Sequence, residues 1–217
     1  MGIDWDQVTN FIIDMDGVIY RGKQPIPGSR EFILFLRERK AKIAFFSNNS
    51  TITSDQFIQK LTGMDIIATK NEFVSSGFIT AYNIQKENSS ARVFCIGEAG
   101  IREELQKAGI RMVDDPPDDR VDYVVVGLDH QFNYAKMAKA MRCILNGARF
   151  LGTNPDLTFP LEDGLTPGCG ALLASIEACT GVRPRIMGKP HPESIRFLLE
   201  ITGFQRENSI FIGDRID

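Results

Sequence analysis

The sequence predicts an α/β fold built on a parallel sheet covered on both faces. Two observations carry this expectation. Strand-sized apolar runs alternate with helical periods almost from end to end. The strand runs, "DYVVVGL" among them, are continuously apolar rather than alternating, the pattern of strands with no solvated face.

The elements follow in order. "QVTNFIID" reads as a strand, and "SREFILFLRERK" as a helix with Phe32, Phe35 and Leu36 on one face. "AKIAFFSNN" is a second strand ending in polar residues. Thr53 and Gln56 stand at capping-box spacing, so a helix begins in "TSDQFIQKL". A longer helix is expected from about Asn71 toward Gln85. "ARVFCIG", "DYVVVGL" and "ARFLGTN" are three further strands, separated by the helices "GIREELQKAG" and "NYAKMAKAMRCILNG", each closed by glycine. A helix "CGALLASIEACTG", a short strand "PRIMGK", a helix "PESIRFLLEITG" and a last strand "NSIFIGD" complete the chain. Residues 80–183 carry an α/β pattern of their own, which suggests an inserted second domain, with 1–79 and 184–217 forming one core.

Composition narrows the class. A length of 217 residues allows a sizeable core, and 43% hydrophobic with 24% charged residues is ordinary for a water-soluble protein. The net charge of −3, with basic residues scattered among acids, argues against nucleic acid or a membrane surface as partner. "MGIDWDQVTN" shows no secretory pattern, and no apolar run reaches membrane-span length, so a cytoplasmic location is expected. Cys95, Cys143, Cys169 and Cys179 include no C-x-x-C. His130 and His191 lack zinc-ligand spacing, so free thiols and no zinc are expected. The acidic stretch "DDPPDDR" reads as a solvated turn, and "GEAG" at 97–100 as a helix-opening turn rather than a dinucleotide loop.

The polar residues gather at strand ends, where open parallel sheets bind ligands. The first strand ends in Asp14-Met15-Asp16-Gly17, the second in Ser47-Asn48-Asn49. Two later strands end in Gly188-Lys189-Pro190 and in Gly213-Asp214-Arg215. Ionised carboxylates beside an apolar strand cost several kcal/mol unless a cation or hydrogen bonds compensate. Asp14, Asp16 and Asp214 offer hard oxygens suited to Mg²⁺. Ser47, the main chain beside Asn48, and Lys189 supply donors for a phosphate dianion. One aspartate beside a bound phosphate can act as nucleophile, and a second as general acid and then base.

In this order, the motifs resemble those of the haloacid dehalogenase superfamily of phosphatases. The likeness is to the branch (subfamily IIA) that contains p-nitrophenyl phosphatases, phosphoglycolate phosphatases and pyridoxal phosphatase. "DMDGVIY", "SNNS", "GKP" and "GDR" match its four motifs, and "GTNPDLTFPLEDGLTPGCGAL" is similar to the segment before the third. The resemblance implies a Rossmann-like core with an inserted α/β cap. It implies Asp14 as nucleophile, Asp16 as general acid and base, and Mg²⁺ held by Asp14, the Asp16 carbonyl and Asp214. Ser47, Asn48 and Asn49 would bind the phosphoryl group, and Lys189 would offset its charge. The substrate would be a small phosphorylated metabolite, with Asn154, Asp156 and Phe159 of the 154–163 loop and the glycines at 164–170 as candidates for selecting it. A homodimer through the cap is compatible with this branch.

The branch usually continues past the fourth motif to Thr-Asp, a helix and a strand, whereas this sequence stops at Asp217. The resemblance therefore implies a shortened product with an exposed sheet edge, and Asp217 is not equated with the missing acid. The alternative this raises is a catalytically impaired phosphate-binding or interaction protein. A signalling receiver domain is disfavoured because its acid pair is adjacent, whereas Asp14 and Asp16 flank a methionine.

Overall fold

The computed structural model describes residues 5, 7–116, 119–161 and 164–214, residues 160 and 161 by their main chain. Chain order begins with β1 (Asn10–Asp14), the hairpin β2 (Tyr20–Arg21) and β3 (Gln24–Pro25), α1 (Ser29–Glu38), β4 (Lys42–Ser47) and α2 (Ser54–Thr62). It continues with β5 (Phe73–Ser75), α3 (Ser76–Glu87), β6 (Arg92–Ile96), α4 (Ala99–Lys107), β7 (Arg111–Met112), β8 (Tyr123–Val126) and α5 (Tyr134–Leu145). β9 (Arg149–Gly152), β10 (Thr158–Leu161), β11 (Gly164–Pro167), α6 (Cys169–Thr180), β12 (Arg185–Ile186), α7 (Pro192–Thr202) and β13 (Ser209–Ile212) follow. Among the described residues no helix is long and apolar enough to cross a membrane.

The chain divides into two compact units, one of residues 1–47, 54–74 and 195–217, the other of 48–53 and 75–194. In the first, the strands run in the order β13-β1-β4-β5. β1 is parallel to both neighbours, with Phe11 opposite Ile210 and Ile43, and Ile13 opposite Ile212 and Phe45. Ile13, Phe45 and Phe46 are fully buried, each worth roughly 1.5–3 kcal/mol of transfer free energy. Phe57 of α2 stacks on Phe73 with ring centroids 3.9 Å apart.

In this unit one expectation holds only in part, since Leu36 is buried and Phe32 is half-buried against Phe11 but Phe35 is not, and another fails. On α1 the buried positions are Ser29, Ile33 and Leu36, while Phe35 is 49% exposed beneath the Arg39 guanidinium. A 3.6-residue period admits either stripe, and the sheet selects the one containing Ile33. The helix expected from about Asn71 begins only at Ser76. Residues 70–72 form a 3-10 turn closed by a Thr69–Glu72 capping box, and buried Phe73 and Val74 extend as β5. Ser75 then caps α3, its hydroxyl accepting from Phe78 N–H at 3.0 Å.

The second unit has its own parallel sheet, ordered β12-β9-β8-β6-β7. Val124 and Val126 of β8 share a core with Phe94, Ile96, Phe150, Cys143 and the α6 face of Leu172, Leu173 and Ile176. Gly152 fits because a Cβ there would lie 2.5 Å from the Leu173 Cδ1 and 3.0 Å from the Ile186 Cδ1. A hairpin, β10 against β11, occupies part of the stretch read as loop and glycine turns. In the acidic turn Asp114 and Asp115 are exposed to solvent as expected, while Asp119 accepts from Arg142 at 2.8 Å and contacts Lys139 at 2.9 Å.

Candidate active site

β1 ends at Asp14 because the next residue turns the chain. The Met15 carbonyl accepts from the N–H groups of Ile19 at 2.9 Å and Tyr20 at 3.2 Å, and Gly17 N–H returns to the Tyr20 carbonyl at 2.9 Å. Gly17 sits at φ +85°, a left-handed geometry open to glycine at little cost. The loop leaves Met15 wholly buried, Asp14 half-buried and Asp16 exposed. Asp14 Oδ1 accepts the Met15 N–H at 2.7 Å.

Asp214 lies two residues past Ile212, whose β-partner is Ile13, so the tips of β1 and β13 are neighbours about 4.8 Å apart. Its carboxylate lies against Gly17, where a Cβ would overlap Oδ2 and come within 2.5 Å of Cγ. Asp14 pairs with Phe46 in the other neighbour, so buried Ser47 is the next residue along β4. The first unit thus brings Asp14, Asp16 and Asp214 to one end of one sheet, with Ser47 at the adjoining strand end.

Beneath this loop, Tyr20 is buried with the Lys60 ammonium 3.3 Å above its ring. Burial, reinforced by Asp16 and Asp14, pushes the Tyr20 phenol far above its ordinary range. Burial also pulls Lys60 below the usual lysine value, with Asp16 opposing that fall. Tyr20 closes the "DMDGVIY" stretch, whereas Lys60 carries no sequence signal, since a lysine at that position reads as surface.

The second unit gathers the remaining candidates by hydrogen bonds. Asn48 Nδ2 donates to the Lys189 carbonyl at 3.0 Å and to Asp156 Oδ2 at 3.1 Å, and its Oδ1 accepts the Lys189 N–H at 2.9 Å. The Asn48 carbonyl accepts from Ser76 Oγ at 2.8 Å and from buried Asn154 at 3.0 Å. Asn154 Oδ1 takes the Asp156 N–H at 3.1 Å. Gly188 permits this closeness, since its Cβ would stand 2.6 Å from Asn48 Oδ1. Asn49 turns its Oδ1 to the N–H and hydroxyl of Thr51, at 2.8 and 2.7 Å, forming a local turn. Phe159 stands on β10, its ring edge-on to His130 at 6.4 Å. Ser76 is a contributor that sequence reading does not single out. Asp163, Arg215 and Asp217 lie outside the described residues.

The Asp14 and Asp214 carboxylates carry hard oxygens of the kind a divalent cation takes. Among the described residues no three His, Cys, Asp or Glu side chains gather into a metal site by themselves.

Residues 11–111 match the haloacid dehalogenase-like hydrolase family. An acid sugar phosphatase of Staphylococcus aureus (strain USA300) is 38% identical over 211 residues, covering 97% of this chain and 80% of that protein. The chain belongs to the haloacid dehalogenase-like hydrolase family and, within it, to the phosphatases. The solved p-nitrophenyl phosphatase of Archaeoglobus fulgidus superposes with a TM-score of 0.87 at 37% identity, covering 93% of this chain and 77% of that one. The 4-nitrophenylphosphatase of Thermotoga maritima gives 0.89 at 32% identity, covering 97% and 80%.

Proposed function

We propose that the chain hydrolyses a small-molecule phosphate monoester through an aspartyl-phosphate, with Mg²⁺ as cofactor. The observation that carries this reading is the Asp214 carboxylate seated on Gly17, beside the loop holding Asp14 and Asp16. The Asp14 and Asp214 carboxylates and the Asp16 carbonyl would hold the ion, and the missing Cβ at Gly17 keeps room for that carboxylate. When bound, Mg²⁺ offsets negative charge where the phosphoryl oxygens gather.

The Asp14 carboxylate attacks phosphorus, and the bond to the leaving oxygen breaks as the new O–P bond forms. Asp16, in its acid form, gives that oxygen a proton. Asp16 then takes a proton from water, whose oxygen attacks the same phosphorus. The acyl-phosphate O–P bond breaks, which regenerates Asp14 and releases inorganic phosphate. Ser47, Asn48, Asn49 and Lys189 serve the phosphoryl group, the hydroxyl and N–H groups as donors and the ammonium as counter-charge.

In this reading residues 80–183 act as the cap that selects the leaving group, with Asn154, Asp156 and Phe159 among the selecting residues. Residues 1–79 and 184–217 supply the chemistry. The name of the Staphylococcus aureus relative supports a sugar phosphate as substrate class. Four free thiols, three of them buried, agree with a reducing cytoplasmic location.

The test is hydrolysis of p-nitrophenyl phosphate and a panel of sugar phosphates with Mg²⁺, by the wild type and by Asp14→Asn. The expected result is wild-type turnover that falls at least about a thousandfold in Asp14→Asn. Full activity in that variant would overturn the nucleophile assignment.

A further inference from the structure

We infer that His130, held by Glu98 and backed by Phe159, reads a hydroxyl group on the leaving alcohol and so favours polyhydroxylated phosphate esters. The inference rests on the phosphatase reading above and deepens it by naming the residue that distinguishes the leaving group.

The placement comes first. Within the second unit, Glu98 follows β6, His130 follows β8 and Asn154 follows β9, three consecutive neighbours of one parallel sheet. All three lie past the carboxyl ends of their strands, the edge at which such sheets take ligands. Asn48 and Lys189, assigned to the phosphoryl group, belong to the same unit. Asn48 binds Lys189 and Asp156 directly, Phe159 comes three residues after Asp156, and the Phe159 ring meets the His130 ring edge-on at 85°.

The chemistry follows from how the imidazole is held. Glu98 Oε1 accepts the His130 backbone N–H at 3.2 Å and also contacts Nδ1 of the ring. In the tautomer that donates Nδ1–H to this carboxylate, Nε2 is the acceptor. The supporting loop is itself built. Buried Asp129 takes the Gln131 N–H at 2.9 Å and the Lys136 ammonium at 2.6 Å, and Asn133 caps α5 through the Lys136 N–H at 3.0 Å. The imidazole nevertheless keeps 59% of its surface open. A ring oriented this firmly and left this exposed has an acceptor to present, and an alcohol hydroxyl is the donor it suits. The Phe159 ring adds an apolar wall of the kind that C–H faces of a sugar pack against. Glu98 acts only through His130 and is a positioning residue.

The experiment compares kcat and KM on a sugar phosphate and on p-nitrophenyl phosphate, whose leaving group carries no further hydroxyl. His130→Ala is expected to raise KM for the sugar phosphate about tenfold with kcat within about twofold, and to leave p-nitrophenyl phosphate unchanged within about twofold. Glu98→Ala is expected to follow it in the same direction, while Glu98→Gln, which keeps an acceptor for Nδ1, restores wild-type KM. Equal KM changes on both esters, or no change on either, would overturn the inference. Wild-type turnover of p-nitrophenyl phosphate without any sugar phosphate would overturn it too and leave the phosphatase reading standing. Failure of the wild type on every ester would instead sink the phosphatase reading, and this inference with it.

Discussion

Asn48 and Lys189, 141 residues apart, exchange two hydrogen bonds through the Asn48 carboxamide, which accepts the Lys189 N–H and donates to the Lys189 carbonyl. A single side chain thereby mimics one rung of a β-ladder and locks the main chain on which the lysine is mounted. Its third bond, to Asp156, uses the remaining amide hydrogen.

Asn48→Ala removes all three bonds and should cost about 1–3 kcal/mol of stability, read as a lower melting temperature. Asn48→Asp should be the worse of the two. It would set a carboxylate against the Lys189 carbonyl and the Asp156 carboxylate, where Nδ2 now donates. A melting temperature for Asn48→Asp above that of Asn48→Ala would refute this account.

Gly17→Ala tests the acid loop. The new methyl would overlap the Asp214 carboxylate while the backbone holds φ at +85°, so the loop must open or Asp214 must leave. The expected outcome is roughly 1–3 kcal/mol of lost stability together with at least about a hundredfold lower kcat/KM. Retained activity in a stably folded variant would show that Asp214 need not stay where it is.

Chelation gives an independent reading of the same donors. Activity on p-nitrophenyl phosphate should vanish in excess EDTA and return with Mg²⁺, because hard oxygens favour that class of ion. Asp214→Asn should raise the Mg²⁺ concentration needed for half-maximal activity at least about tenfold. An unchanged Mg²⁺ requirement would remove Asp214 from the donor set.

A pH dependence of stability follows from Glu72. Burial raises its carboxyl pKa, but the Arg37 guanidinium, at 2.8 Å through Nη2, and the Thr69 N–H and hydroxyl outweigh burial and hold it below its ordinary value of 4.5. A group depressed in the folded state stabilises fully above its unfolded value, and the contribution is lost as pH falls through the folded one. The melting-temperature advantage over Glu72→Gln should therefore be full near neutrality, shrink below about pH 4.5, and vanish in stronger acid. Its size should be at most about 1 kcal/mol, because the pair is partly solvated. An advantage that grows on acidification would contradict the assignment.

Much of this architecture is legible locally. The apolar runs at residues 10–14, 42–47 and 123–126 are strands where their composition says they are, and the acid pair falls at a strand end as the run length requires. The failures are equally local in origin. Phe35 and Ile33 satisfy the same helical period, so only the packed sheet decides which stripe is buried. Phe73 and Val74 sit in a stretch with no helix breaker, and their extension as β5 answers to a neighbouring strand that periodicity does not contain. The β10–β11 hairpin escapes notice because its residues read as loop and glycine turns.

The amino-acid order by itself determined the α/β class, the four polar strand ends and the residue types that suit phosphate and a hard cation, because each is written within a few consecutive residues. The tertiary structure alone decided that the Asp214 carboxylate rests on Gly17, that Asn48 clasps Lys189, and that Glu98 orients His130. These are contacts between residues about 30 to 200 positions apart, and side-chain chemistry at such separations takes its meaning from a register that only the folded sheets impose.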